Sequence, residues 1–113
     1  MSGRPVREQE LQATLVEACR VLGYRVAHFR PARTAHGWRT PMSGDVGFPD
    51  LVCARPGRVF ALELKAARGR LGPGQQEWLQ ALEGGVVDAR VVRPDDLDVV
   101  LALLAQRERP PAA

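Results

Sequence analysis

Lysine is almost missing from this chain. Of 16 Lys and Arg residues among 113, the one lysine is Lys65 and the other fifteen are arginines. Arg is a planar fork that stays charged, whereas Lys is a compact point charge whose pKa shifts readily. A role that needs the amine would explain the exception at position 65. Cysteine and histidine are also scarce, with two of each. No further Cys or His completes a metal-ligand spacing around Cys19 or Cys53, and both sit in apolar stretches, so they read as buried free thiols rather than a disulfide or zinc ligands. His28 alternates within a strand pattern and reads as a strand-surface or satisfied core residue. No stretch approaches the roughly 20 apolar residues of a membrane-spanning helix. The N-terminus lacks the apolar run of a signal peptide, so the expected setting is the cytoplasm, with no membrane partner. Internal repeats and a second domain are missing as well. The expectation is one domain over 1–113, with a core at about 6–106 and a modest interior.

What is present is organised around Gly47 to Gln75, GFPDLVCARPGRVFALELKAARGRLGPGQ. Asp50 to Ala54 is apolar and β-prone after its first residue, and Pro49 stands where a missing N–H is tolerated. Arg58 to Lys65 is a second strand. Between them Arg55-Pro56-Gly57-Arg58 reads as a tight turn, Pro setting φ and Gly supplying φ > 0. If Pro56-Gly57 form the loop, Arg55 opposes Arg58, and counting back sets Asp50 opposite Glu63. Opposed residues lie roughly 4.5–5.5 Å apart at Cβ on one face. Lys65 joins that face, and Phe60, Leu62 and Leu64 point into a core on the other. A slip of one residue would separate the two carboxylates. Opposed carboxylates repel unless something neutralises them, and a divalent cation would. Mg²⁺ takes one or two carboxylates and keeps several waters. A metal-bound water is easier to deprotonate, and the metal offsets charge on a phosphate. Lys65 could orient the nucleophile or neutralise the transition state.

Gly47-Phe48-Pro49-Asp50, Glu63-Leu64-Lys65 and Gly69-Arg70-Leu71 leading to Gln75 resemble the VRR-NUC family, a branch of the PD-(D/E)XK nucleases. An E-x-K alone carries little; the ordered set at these spacings is specific. The resemblance covers roughly Glu8 to Leu104. It implies a metal-dependent phosphodiesterase acting on DNA, using Mg²⁺ or Mn²⁺, with Asp50 and Glu63 as metal ligands, Lys65 as the catalytic amine and Gln75 as a supporting residue. It further implies a metal-site glutamate early on the first helix, which is Glu10 here, with Glu17 in reserve. Branched or flap-bearing DNA as substrate and a homodimer are also implications of the resemblance. A restriction-type enzyme cutting a specific duplex sequence, and a catalytically idle DNA-binding module, are the alternative readings.

In chain order, Pro5 to Leu22 reads as a helix with Leu11, Leu15, Ala18, Cys19 and Leu22 as its core stripe and Gly23 as its stop. Tyr24 to Arg30 is a strand. Pro31 to Gly47 reads as a long, irregular, polar loop holding Arg33, Thr34, His36, Trp38, Arg39 and Thr40. Such a loop can lie along a phosphate backbone, with Trp38 stacking on an unpaired base or tucked onto the core. Asp45 adds a carboxylate near the motif. Arg68 and Arg70 are candidate phosphate contacts. Pro73 to Leu82 is a helix with Trp78, Leu79 and Leu82 as its buried stripe, and Gly74 and Gln75 in its first turn. Val86 to Arg93 is a strand ended by Pro94. Asp95 is the expected N-cap of a helix over Leu97 to Gln106. Val99, Val100, Leu101, Leu103 and Leu104 make that helix apolar on more than one face, which fits either a dimer surface or deep packing. Net charge +3 and a pI near 9.5 permit nucleic acid binding. The expected fold is α/β: a restriction-endonuclease-like PD-(D/E)XK core with a central mixed sheet flanked by helices.

Overall fold

The structure, a computed structural model, describes residues 7–29, 32–34, 37–39 and 43–106, with the backbone alone for 32–34 and 37–39. Its elements in order are α1 (Glu8–Val21), β1 (Arg25–His28), β2 (Ala32–Thr34), β3 (Gly37–Arg39), β4 (Leu51–Arg55), β5 (Arg58–Leu64), α2 (Gln75–Leu82), β6 (Val87–Val92) and α3 (Leu97–Ala105). Four strands form one mixed sheet in the order β1-β4-β5-β6. The first two pairings are antiparallel, and β5 with β6 is parallel. A parallel neighbour needs a crossover, and α2 supplies it.

The hairpin register follows from its turn. Gly57 takes φ +83, so Pro56-Gly57 can close a tight loop. Arg55 then opposes Arg58, and the ladder runs back to Leu51 opposite Leu62. One step further sets Asp50 beside Glu63. On one face Phe60, Leu62 and Leu64 of β5 join Leu51 and Cys53 of β4, Leu11, Leu15 and Cys19 of α1, and Val100 and Leu104 of α3 in the core. Side chains alternate, so Glu63 points to the opposite face. There α2 lies over β5 and β6, and β5 is covered on both sides.

Several expectations change. The segment from Pro31 to Gly47 is not uniformly irregular: β2 and β3 pair antiparallel as a separate ribbon. The N-cap position of α3 belongs to Asp96, not Asp95, because a turn of 3-10 helix, Pro94–Asp96, comes first; the Asp96 carboxylate accepts from the Arg93 backbone N–H at 2.9 Å. The stripe of α2 is shallower than expected, since Trp78, Leu79 and Leu82 are half-buried and the helix has no fully buried residue. Gly74 is its N-cap rather than part of its first turn. Cys19 and Cys53 are buried free thiols, as expected, and their sulfurs touch at 3.3 Å. On α3 only two residues are fully buried, and Val99 is exposed.

Candidate functional site

Asp50 leaves the loop of Phe48 and Pro49 just before β4. Its Oδ2 accepts from the Leu64 backbone N–H at 2.9 Å, and its carbonyl accepts from Phe29 N–H at 3.0 Å. These bonds pin Asp50 across the end of the sheet, against the last residues of β5. Glu63 is 1% exposed. Its Oε2 receives Gln75 Nε2 at 2.9 Å and lies 3.4 Å from Lys65 Nζ. Its Oε1 is sealed from solvent and receives no hydrogen bond. Gln75 is itself fixed, its Oε1 accepting from Gly72 N–H at 2.6 Å. The structure therefore brings together Asp50 from just before β4, Glu63 from β5, Lys65 from just after β5 and Gln75 from the first position of α2.

The electrostatics follow from burial and like charge. Burial comes first, then the negative charge of Asp50 and the proton the two carboxyls can share. Together they push the Glu63 carboxyl up to about 8, against an opposing pull from Lys65. With both carboxyls ionised, Glu63 keeps one oxygen without a donor and has a second negative group as its neighbour. A hard divalent cation fits that arrangement, because carboxylate oxygens are its preferred ligands. Among the described residues no three His, Cys, Asp or Glu side chains converge as a ready cage. Two carboxylates, with waters and substrate phosphates completing the sphere, is how Mg²⁺ is commonly held.

The remaining candidates are distributed unevenly. Glu10 is half-buried on α1 with its Oε1 closed to solvent. Glu17 is exposed, nearly two turns along the helix, and lines a groove of about 660 Å³ with Gln12, Arg20 and His28. His28 Nδ1 is 2.8 Å from Gln12 Nε2. Asp45 is exposed, and its carbonyl accepts from Trp78 Nε1 at 3.1 Å. Arg68 and Arg70 are both exposed on the loop after Lys65. Arg33, Trp38 and Arg39 fall on the ribbon, Arg33 opposite Trp38, and their side chains lie outside the described residues, as do His36 and Thr40.

Two contributions are not legible as site chemistry in the sequence. Arg93 sends Nη1 to the carbonyls of Ala66 at 2.9 Å and Gly69 at 2.7 Å, tying down the loop that carries Arg68. Lys65 N–H donates to Val92 O at 3.0 Å, so the strand end beside Arg93 also fixes the backbone of the lysine. The only sequence signal is an arginine placed between a β-prone run and Pro94. Second, Phe48 stacks edge-on against both Phe29 and Trp78, with centroids at 5.4 and 4.9 Å. This column seats the loop that delivers Asp50, so Trp78 serves the site's frame rather than the main core.

Among curated proteins no match to the chain was found. The profile of the VRR-NUC domain matches residues 6–96, a span from the start of α1 to the 3-10 turn that takes in every side chain described at this site. That domain implies nuclease-type function, and with a match over most of its length the chain belongs to the VRR-NUC family.

Proposed function

We propose that the chain is a Mg²⁺- or Mn²⁺-dependent DNA endonuclease on a restriction-endonuclease-like PD-(D/E)XK core, selective for branched, flap or junction DNA in replication, recombination or repair. The observation that carries this reading is the buried Glu63 carboxylate, whose Oε1 has no donor and whose neighbour is Asp50. Oε2 is already occupied by Gln75 and Lys65, so Oε1 is the oxygen left for a cation. Asp50 and Glu63 would hold the ion, with Glu10 joining directly or through water. When bound, the ion offsets charge on the phosphate and eases deprotonation of water.

The chain's own groups do the rest. Lys65 orients the attacking water and opposes the charge that builds on the phosphate oxygens. Gln75 fixes the Glu63 rotamer, so that Oε1 keeps its aim. The Leu64 N–H fixes Asp50 in the same way. Arg68 and Arg70 contact backbone phosphates near the scissile bond. Arg33, Trp38 and Arg39 on the β2–β3 ribbon contact the substrate farther out, Trp38 by stacking on an unpaired base.

The test is cleavage of labelled duplex, flap, nicked and four-way-junction DNA in Mg²⁺, Mn²⁺ or EDTA, with the wild type beside Asp50→Ala. Metal-dependent cutting that needs Asp50 and favours a branched substrate is the expected result. Cutting of one duplex sequence alone would point to a restriction-type enzyme. Binding without cutting, weakened equally by Lys65→Ala, would leave a DNA-binding module. Repeating the assay across chain concentration tests whether two copies act together.

A further inference from the structure

Among the described residues seven glycines have positive φ, and five of them, Gly23, Gly44, Gly57, Gly84 and Gly85, would have nothing within 4 Å of an added Cβ. These five answer only to backbone conformation. Gly47 and Gly74 differ. A Cβ on Gly47 would lie 2.4 Å from Gly74 C, 2.6 Å from Gln75 N and 2.8 Å from Pro73 O. A Cβ on Gly74 would lie 2.2 Å from Val46 O. Every one of these neighbours is backbone, so no side chain can rotate out of the way. The two chain segments meet glycine on glycine, with no space for a methyl group in either.

The position of that contact matters. Asp50 lies three residues beyond Gly47, and Gln75 follows Gly74 directly. α2 buries no residue fully, so its N-terminal end depends on what is pressed against it. Besides the Gln75 bonds to Glu63 and Gly72, the contacts there include this joint, the Trp78 Nε1 bond to Asp45 O and the edge-on packing of Trp78 against Phe48. We infer that Gly47 and Gly74 are positioning residues: their backbone contact sets the distance between the loop that delivers Asp50 and the helix end that delivers Gln75. This role rests on the nuclease reading for its catalytic consequence, while the contact itself does not. A methyl group at either glycine must part the two segments, and the 2.9 Å bond from Gln75 to Glu63 is the first to lengthen.

The test compares Gly47→Ala and Gly74→Ala with Gly84→Ala and Gly23→Ala. The last two carry positive-φ strain in open space (φ +104 and +86), so the four share a conformational penalty and differ in the steric one. The first readout is the ¹⁵N-resolved side-chain amide of Gln75 together with the Leu64 backbone amide, in metal-free protein. Both signals should move in the two joint variants and stay in place in the two controls. The second is single-turnover cleavage. The joint variants should lose about 10- to 100-fold in rate with KM for DNA unchanged, and the controls should stay near wild type. Should Gly47→Ala or Gly74→Ala fail to fold, Trp78→Phe keeps a ring on Phe48 but removes the donor to Asp45 O. It should move the Gln75 signal the same way by a smaller amount. A wild-type Gln75 signal in the joint variants, or in Trp78→Phe where those do not fold, overturns the joint. A shifted signal with undiminished cleavage overturns its positioning role. If the wild type cuts nothing, the nuclease reading fails on its own, and the spectra still decide the joint.

Discussion

At its turn the β4–β5 hairpin sets Arg55 opposite Arg58, and one register step past its far end it sets Asp50 beside Glu63. Like charges face each other in both places. At the turn the chain supplies the answer. Arg55 donates to Leu22 O at 2.6 Å and to Gln106 O, and its guanidinium lies over the Tyr24 ring at 4.5 Å. Arg58, 5% exposed, donates to Leu103 O at 3.0 Å and lies over Phe60 at 4.9 Å. Those carbonyls end α1 and α3, where a cation also meets the negative end of the helix dipole. At the open end the chain stops short. Lys65 and Gln75 both serve one oxygen of Glu63, whose carboxyl neighbours Asp50, and leave the other oxygen without a donor. The fold pairs the charges at one end and leaves one carboxylate oxygen without a donor at the other.

The sharpest way to break this comparison is to remove charge from the open end. Asp50→Asn or Glu63→Gln should lower metal-dependent cleavage by about 10³-fold while raising the melting temperature in EDTA above about pH 8, where both wild-type carboxyls are ionised and repel. Rates near wild type would mean that the pair does not hold the cation. Next comes Lys65→Arg, which keeps the charge but replaces a compact amine with a planar fork. It should cost about 10²-fold in single-turnover rate with DNA affinity intact; full activity would show that charge alone suffices.

At the turn the expected effects exchange places. Arg58→Leu uncovers the Leu103 carbonyl and should cost about 1–3 kcal/mol in urea denaturation, with cleavage per folded molecule unchanged. A loss of rate without a loss of stability would erase the division between the two ends. The smallest effect is a pH slope. The Glu63 carboxyl has a folded pKa of about 8 against a reference value of 4.5, so the folded state holds the extra proton between those values. Its contribution to stability is full below about 4.5 and is lost as pH rises through 8. In EDTA the wild type should therefore lose more melting temperature from pH 5 to 8 than Glu63→Gln does. Equal slopes would remove the strained pair from the account.

The open end was more legible in the sequence than the turn end. Counting back from Pro56-Gly57 sets Asp50 beside Glu63, and alternation assigns Phe60, Leu62 and Leu64 to the core. The depth of Glu63 could not be read, because its cover comes from α2, whose crossover depends on the parallel pairing of β5 with β6. Arg55 and Arg58 read only as turn residues, since their carbonyl partners lie 33 and 45 residues away. The β2–β3 ribbon has three residues per strand, too few and too polar for an alternating pattern to declare itself. Asp95 and Asp96 are equally good caps by type, and the extra 3-10 turn that chooses between them depends on how β6 ends.

The ribbon has a consequence for engineering. β1 and β4 are antiparallel neighbours in the sheet, yet the chain between them makes a detour through β2 and β3. The detour is closed at its base by Phe29 N–H on Asp50 O and by the Phe29 ring on Phe48. The β2–β3 ribbon within it is thus a cassette on a clasp: residues 32–39 supply no rung of the ladder that aligns Asp50 with Glu63, while Asp45 to Gly47 stay with the core as part of the glycine joint. Substrate choice and bond cleavage could then be varied independently, by grafting ribbons of different composition onto an unchanged cutting core.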